Sequence, residues 1–109
     1  MKRGDIVTVA LKEDYGKPRP AVIVESDLLP PSDSVLVCLI SSSLHEGGPF
    51  RRHRVEVSPA TGLRVPSQVM VDKVVAVRRR RCGPVIGEVD RTSMRELTGK
   101  LTVLIGAED

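Results

Sequence analysis

Two residue types in this chain can act together on an anion: a guanidinium at Arg19 and a hydroxyl at Ser41. Arg19 lies between Pro18 and Pro20, immediately before the apolar run Ala21-Val22-Ile23-Val24. Proline fixes its own φ and pushes the preceding residue toward extended backbone, so Arg19 leaves the mouth of a strand in a restricted direction. Ser41 opens the hydroxyl-bearing Ser41-Ser42-Ser43 that follows another apolar run, Ser34 to Ile40. If the two strand ends are neighbours, both groups reach one phosphodiester, the guanidinium facing the charge of a pentacoordinate phosphorus and the hydroxyl giving or positioning a hydrogen bond. The competing assignment for Arg19 is a structural ion pair with Asp14 or Asp72.

Other chemistries find less support. His45 and His53 fall in or beside the Gly/Pro-rich stretch Leu44 to Arg52, at a spacing that suits no metal pair, and read as solvated loop histidines. Gly47-Gly48-Pro49 lacks the lysine and helix of a phosphate-binding loop. The serines have no nucleophile-elbow pattern around them. Cys38 and Cys82 show no metal spacing and read as reduced thiols. No metal and no cofactor is expected.

The chain has 109 residues, enough for a single domain over 1–109, and a formal charge of +3 that leans toward a polyanionic partner. With one Phe, one Tyr and no Trp, its core must come from Val, Leu and Ile, which favours strands. Strands are expected at Asp5 to Leu11, Pro20 to about Glu25, Ser34 to Ile40 and His53 to Ser58, with one bent strand or two over Ser67 to Val77 and a short Val85-Ile86. Lys12 to Pro18 and Pro59 to Gly62 carry loop and turn chemistry. Arg78 to Arg81 is either a solvated strand end or turn, or a phosphate contact with two arginines on each face. Asp90 can cap a helix with Met94, Leu97, Leu101, Leu104 and Ile105 on its apolar face, Gly99 weakening it and Gly106 ending it. The fold class is mainly β (α+β), antiparallel, closed by a C-terminal helix. No apolar stretch suits a signal peptide or a membrane span, so a cytoplasmic protein without membrane association is expected.

Taken together, Arg3-Gly4-Asp5-Ile6-Val7, Lys17-Pro18-Arg19-Pro20-Ala21-Val22-Ile23-Val24, Leu39-Ile40-Ser41-Ser42, Gly62-Leu63 and Ser67-Gln68-Val69 resemble the MazF/PemK (Kid) family of toxins, nearly end to end. The resemblance implies an SH3-like, partly open β-barrel with a C-terminal helix. It also implies metal-independent cleavage of single-stranded RNA, usually messenger RNA, by the substrate's own 2′-hydroxyl, leaving 2′,3′-cyclic phosphate and 5′-hydroxyl ends. A homodimer and a cognate antitoxin with an acidic, disordered tail are the implied partners. Arg19 and Ser41 match the family's catalytic pair. Substrate contacts are expected at Asp14, Tyr15, Lys17, Ser42, Gln68, Asp72 and Arg81, with Tyr15 the candidate for base stacking. The loop before Arg19 carries no histidine, and Met70 stands where some members have a second catalytic arginine, so the resemblance assigns no general acid or base. Two other functions fit the same fold: a gyrase-poisoning CcdB-like toxin, whose terminal Trp-Gly-Ile is missing here, and a non-catalytic RNA- or protein-binding module.

Overall fold

The β-branched runs sort into strands wherever Gly, Pro or charge interrupts them. The computed structural model describes every residue except Glu108, and Asp14 through its backbone alone. Strands β1 (Asp5–Ala10), β2 (Pro18–Ile23), β3 (Ser34–Ser41), β4 (Arg52–Val55), β5 (Ser67–Arg78) and β6 (Cys82–Glu88) form one antiparallel sheet in the order β4-β5-β3-β2-β1-β6. Helix α1 (Arg91–Leu104) follows. This is the expected mainly-β architecture, with a sheet that does not close on itself.

Its two edges, β4 and β6, are bridged by the segment that leaves β4. The Glu88 amide donates to Ala60 O at 2.8 Å. Gly62, at φ +70°, presses so close that a Cβ there would lie 2.0 Å from Ile86 O, and one at Gly87 would lie 2.1 Å from the Thr61 carbonyl. The Thr61 hydroxyl is buried but satisfied, donating to Glu56 O at 2.8 Å and so shaping the turn from within. Glu56 to Ser58 therefore leave the strand expected there and build this bridge.

Both faces of the central strands are covered, which explains why β2 reads as an unbroken apolar run rather than an alternating one. Ile6, Val22, Cys38, Val69 and Val71 pack on one face with Met94 and Leu97 of α1. Val7, Val9, Ala21, Ile23, Val37 and Val77 cluster on the other. Asp90 caps α1 as expected, accepting from the Ser93 amide at 2.7 Å, with Val89 and Met94 buried together. Ile105 departs from expectation: it lies past the last helical turn and is 71% exposed. The Ser67 to Val77 stretch is one strand, bent where its register against β3 shifts between Cys38 and Ile40. Both cysteines are free thiols, and burial pushes Cys38 up to about 11. Among the described residues no helix is long and apolar enough to cross a membrane.

The arginine block does not alternate. Arg79–Arg81 form a 3-10 turn between β5 and β6. Arg79 is turned inward, pairing with Glu25 at 3.5 Å and donating to Ser32 O.

His53 is the larger correction. It is 4% exposed on β4, with Nε2 2.7 Å from Ser93 Oγ of α1 and with Nδ1 buried and unpartnered among the described residues. Strand alternation is the reason: His53 shares its face with Val55, so it points at the core. Beside it, Lys100 Nζ donates to Arg52 O at 3.0 Å, a second tie between α1 and β4.

Burial, then the Lys100 charge, holds the His53 imidazole below its ordinary 6.5, while Glu96 and Asp90 act in the opposite sense. The unfolded chain thus binds this proton first as pH falls, and stability present above about 6.5 is lost toward the folded-state value. The urea midpoint should drop between about pH 7.5 and about pH 5.5, and His53→Gln should flatten that drop. An equally steep drop in the variant would contradict the linkage. A pair of glycines tests the bridge. Gly62→Ala should lower the Tm, at a cost of about 1–3 kcal/mol from overpacking, whereas Gly99→Ala, on the open face of α1, should raise it by roughly 1 kcal/mol of helix propensity. Equal effects would remove the bridge from the fold's energetics.

Candidate active site

The ladder between β2 and β3 ends at Ala21 opposite Leu39. Its pairs, Ala21 with Leu39, Val22 with Cys38 and Ile23 with Val37, share one register, and two more residues of it bring Arg19 across from Ser41. Pro18 and Pro20 remain paired with Ala10 and Thr8 of β1. Their missing N–H groups are tolerated because the β3 side of β2 has no ladder left to complete. A cavity of about 680 Å³ opens at this parting of strands. Its walls are the ends of β2 and β3, from Pro18 to Pro20 and from Leu39 to Ser43, and the bridging segment from Gly62 to Val65, with Met70 and Ile86 adding apolar surface.

The described charges here share one sign. Arg19 and Arg64 are the ionisable side chains among the described lining residues, and no described carboxylate joins them. Ser41 Oγ accepts from the Ser43 amide at 3.0 Å, which fixes the oxygen, while its own contact to Ser43 O is long at 3.5 Å. The hydroxyl hydrogen is thereby available to an anion in the groove. A guanidinium and an oriented hydroxyl against one cavity can hold a phosphoryl group and favour added negative charge on it.

Of the residues singled out from sequence, Arg19, Ser41 and Ser42 meet at this groove. Tyr15 is wholly exposed at φ 54°, in the turn that leads back toward β2, and Lys17 is exposed just before that strand. The side chain of Asp14 lies outside the described residues. Gln68 lies next to the groove but spends its amide on the backbone of His45, accepting from its N–H at 3.0 Å and donating to its carbonyl at 3.1 Å. It thereby pins the exposed loop that continues from the serines. Asp72 lies at the β4 edge, 3.6 Å from Arg51. Arg81 donates to Ala10 O at 3.2 Å, at the same end of β1 as the groove but outside its lining. Sequence reasoning missed Arg64. Its only local signal is the pattern of a buried Leu63 followed by an outward residue after a glycine turn.

A larger depression, about 870 Å³, lies beside the start of α1. Two of its four cations are engaged, and Asp27, Glu88 and Asp90 share the lining: Lys2 pairs with Asp5 at 3.1 Å and Glu88 at 3.4 Å, and Arg3 donates to Val24 O and Thr98 Oγ1. Its mixed charge makes it a poorer anion site than the smaller groove.

Residues 2–105 match the family model of PemK-like, MazF-like toxins of type II toxin–antitoxin systems. A relative named probable endoribonuclease MazF, from Mycolicibacterium smegmatis, is 38% identical over 107 residues, covering 97% of each chain. The fold is similar to that of the Mycobacterium tuberculosis toxin MazF-mt6, with a TM-score of 0.77 at 22% identity over 93% of this chain and 95% of that one. It is similar also to a MazE-MazF structure from Deinococcus radiodurans, with a TM-score of 0.74 at 20% identity over 97% and 95%. A mycobacterial endoribonuclease in complex with its cognate antitoxin gives 0.80 at 19% identity over 97% and 95%. With its open antiparallel sheet, its closing helix and its match over nearly the whole sequence, the chain belongs to the family of PemK-like, MazF-like toxins of type II toxin–antitoxin systems.

Proposed function

We propose that this chain is an endoribonuclease toxin that cuts single-stranded RNA at the groove between β2, β3 and the bridging segment. The observation that carries the reading is the placement of Arg19 and Ser41 on one cavity with no described carboxylate in its lining. The 38% identical relative, named as an endoribonuclease, supports the reaction class. The substrate's 2′-hydroxyl attacks the adjacent phosphorus, the bond from phosphorus to the 5′-oxygen breaks, and the proton lost by the 2′-oxygen is balanced by one gained at the 5′-oxygen. The products are a 2′,3′-cyclic phosphate and a 5′-hydroxyl. DNA, lacking the attacking group, is not cut.

Arg19 stabilises the charge that builds on the non-bridging oxygens, and Ser41, held by the Ser43 amide, donates to the same phosphoryl group. Arginine stays protonated at any working pH and serine does not titrate, so these two groups stabilise charge and position the phosphate rather than exchange protons. The basic groove suits an antitoxin with an acidic, disordered segment that competes with RNA, consistent with the antitoxin complexes solved for relatives of this fold. The reading includes a homodimer acting in the cytoplasm as one domain over 1–109. We assign substrate contacts to Tyr15, Lys17 and Ser42, while Gln68 holds the loop beside them and Asp72 and Arg81 stand farther from the cavity.

The test is incubation of purified protein with a long single-stranded RNA in EDTA, with mapping of the cut ends. Cyclic-phosphate and 5′-hydroxyl ends are expected. Arg19→Ala should slow cutting about a hundredfold or more and Ser41→Ala about tenfold or more, as expected for loss of transition-state donors, while Ser41→Thr should retain most activity. Intact RNA at high protein concentration, or an Arg19→Ala chain as fast as the parent, would overturn the proposal.

A further inference from the structure

Of the two arginines in the described lining of the groove, Arg19 has a role in the proposed reaction and Arg64 has none. Arg64 lines the cavity from the bridging segment, a different wall from the β2 rim that carries Arg19. Its backbone is held at both ends: Leu63 is buried in the core on one side, and Ser67, where β5 begins, is buried on the other. Only Arg64, Val65 and Pro66 span those anchors, and Pro66 keeps Val65 extended. Gly62 sets this course, since its left-handed backbone and its contact with Ile86 O fix where the segment turns. The guanidinium is therefore presented from a short, taut span rather than from a loose loop.

Its electrostatic setting differs from that of the three ion-paired arginines. Arg51 pairs with Asp72, Arg54 with Glu56 and Arg79 with Glu25. Arg64 is exposed and, among the described residues, has no ion pair or hydrogen bond. A fixed cation without a described partner, on a different wall of the cavity from the arginine proposed to face the reacting phosphate, calls for a negative charge of its own. A single phosphodiester carries one. Consecutive nucleotides of a single strand supply one per residue, with a base between them that the apolar surfaces of Leu39, Met70 and Val65 can face.

We infer that Arg64 binds the phosphate next to the scissile one and fixes the strand's position across the groove. The inference rests on the proposed endoribonuclease activity and adds a substrate-binding residue to it. Arg64 acts before the chemical step: it contributes to capture of the RNA, equally in the ground state and the transition state, while Arg19 acts on the phosphorus that reacts.

Binding of a fully 2′-O-methylated single-stranded RNA, which cannot be cut, separates these roles when measured across a range of potassium chloride concentrations. Arg64→Ala should weaken binding about tenfold at low salt and flatten the plot of log K against log salt by about 0.7, the value for one phosphate contact on a single strand. Arg64→Lys should restore the slope. On cleavable RNA, Arg64→Ala should raise KM with kcat falling no more than about twofold. Arg54→Ala, which removes an exposed cation already paired with Glu56, should leave the slope within error of the parent's. An unchanged slope and KM in Arg64→Ala, or a loss confined to kcat, overturns the assignment to a neighbouring phosphate while parental cleavage upholds the endoribonuclease reading. A parent chain that neither binds nor cuts RNA overturns both.

Discussion

The close approach of the Ser58 to Leu63 segment to β6 is the constraint on which the remaining structure depends. Two glycines permit it, one from each side: Gly62 lies against Ile86 O, and Gly87 lies against the Thr61 carbonyl. The hydrogen bond from the Glu88 amide to Ala60 O gives an otherwise open edge strand a partner. The same approach delivers Leu63 to the core shared by β5 and α1. It also raises the wall that turns the gap between β2 and β3 into a cavity. Stability and site thus draw on one backbone contact, and a side chain at either glycine would disturb both.

The groove itself follows from where pairing stops. Two prolines in β2 are compatible with pairing to β1 but not with a continued ladder to β3, so the strands separate beyond Ala21 and Leu39. Polar side chains on the last residues of each strand then face a cavity instead of a neighbour. The excess positive charge of the chain matters mainly there. Arg51, Arg54 and Arg79 are tied to Asp72, Glu56 and Glu25, and the described groove lining holds no carboxylate. Net charge steers an anion toward the molecule, and a cavity lined by one sign of charge concentrates it.

Much of this was legible in local sequence. Apolar runs bounded by Gly and Pro gave β1, β2 and β3, the Asp90 cap with Val89 and Met94 gave α1, and the Pro18-Arg19-Pro20 constraint with the Ser41 hydroxyl pointed to two sides of one groove. What escaped depends on pairing between distant residues. The burial of His53 follows from β4 joining β5, where His53 lies beside Val69, and from α1 folding over both. The arginine block leaves strand end and turn as alternatives until β6 is known to turn back at Cys82. Gln68 reads as a substrate contact until its amide is seen to hold the backbone of His45, and Arg64 has no neighbour in sequence that marks it as part of a site. Such positions are set by long-range register, which local propensity does not encode.

The proposed placement of RNA in this groove is tested most directly by titrating the 15N-labelled chain with a 2′-O-methylated single-stranded RNA and mapping the shifted resonances. The largest changes are expected at the Nε–H groups of Arg19 and Arg64 and at the backbone amides of Ser41 to Ser43 and Gly62 to Val65. Changes concentrated instead around Arg51 and Asp72, or in the depression between Arg3 and Arg95, would contradict it.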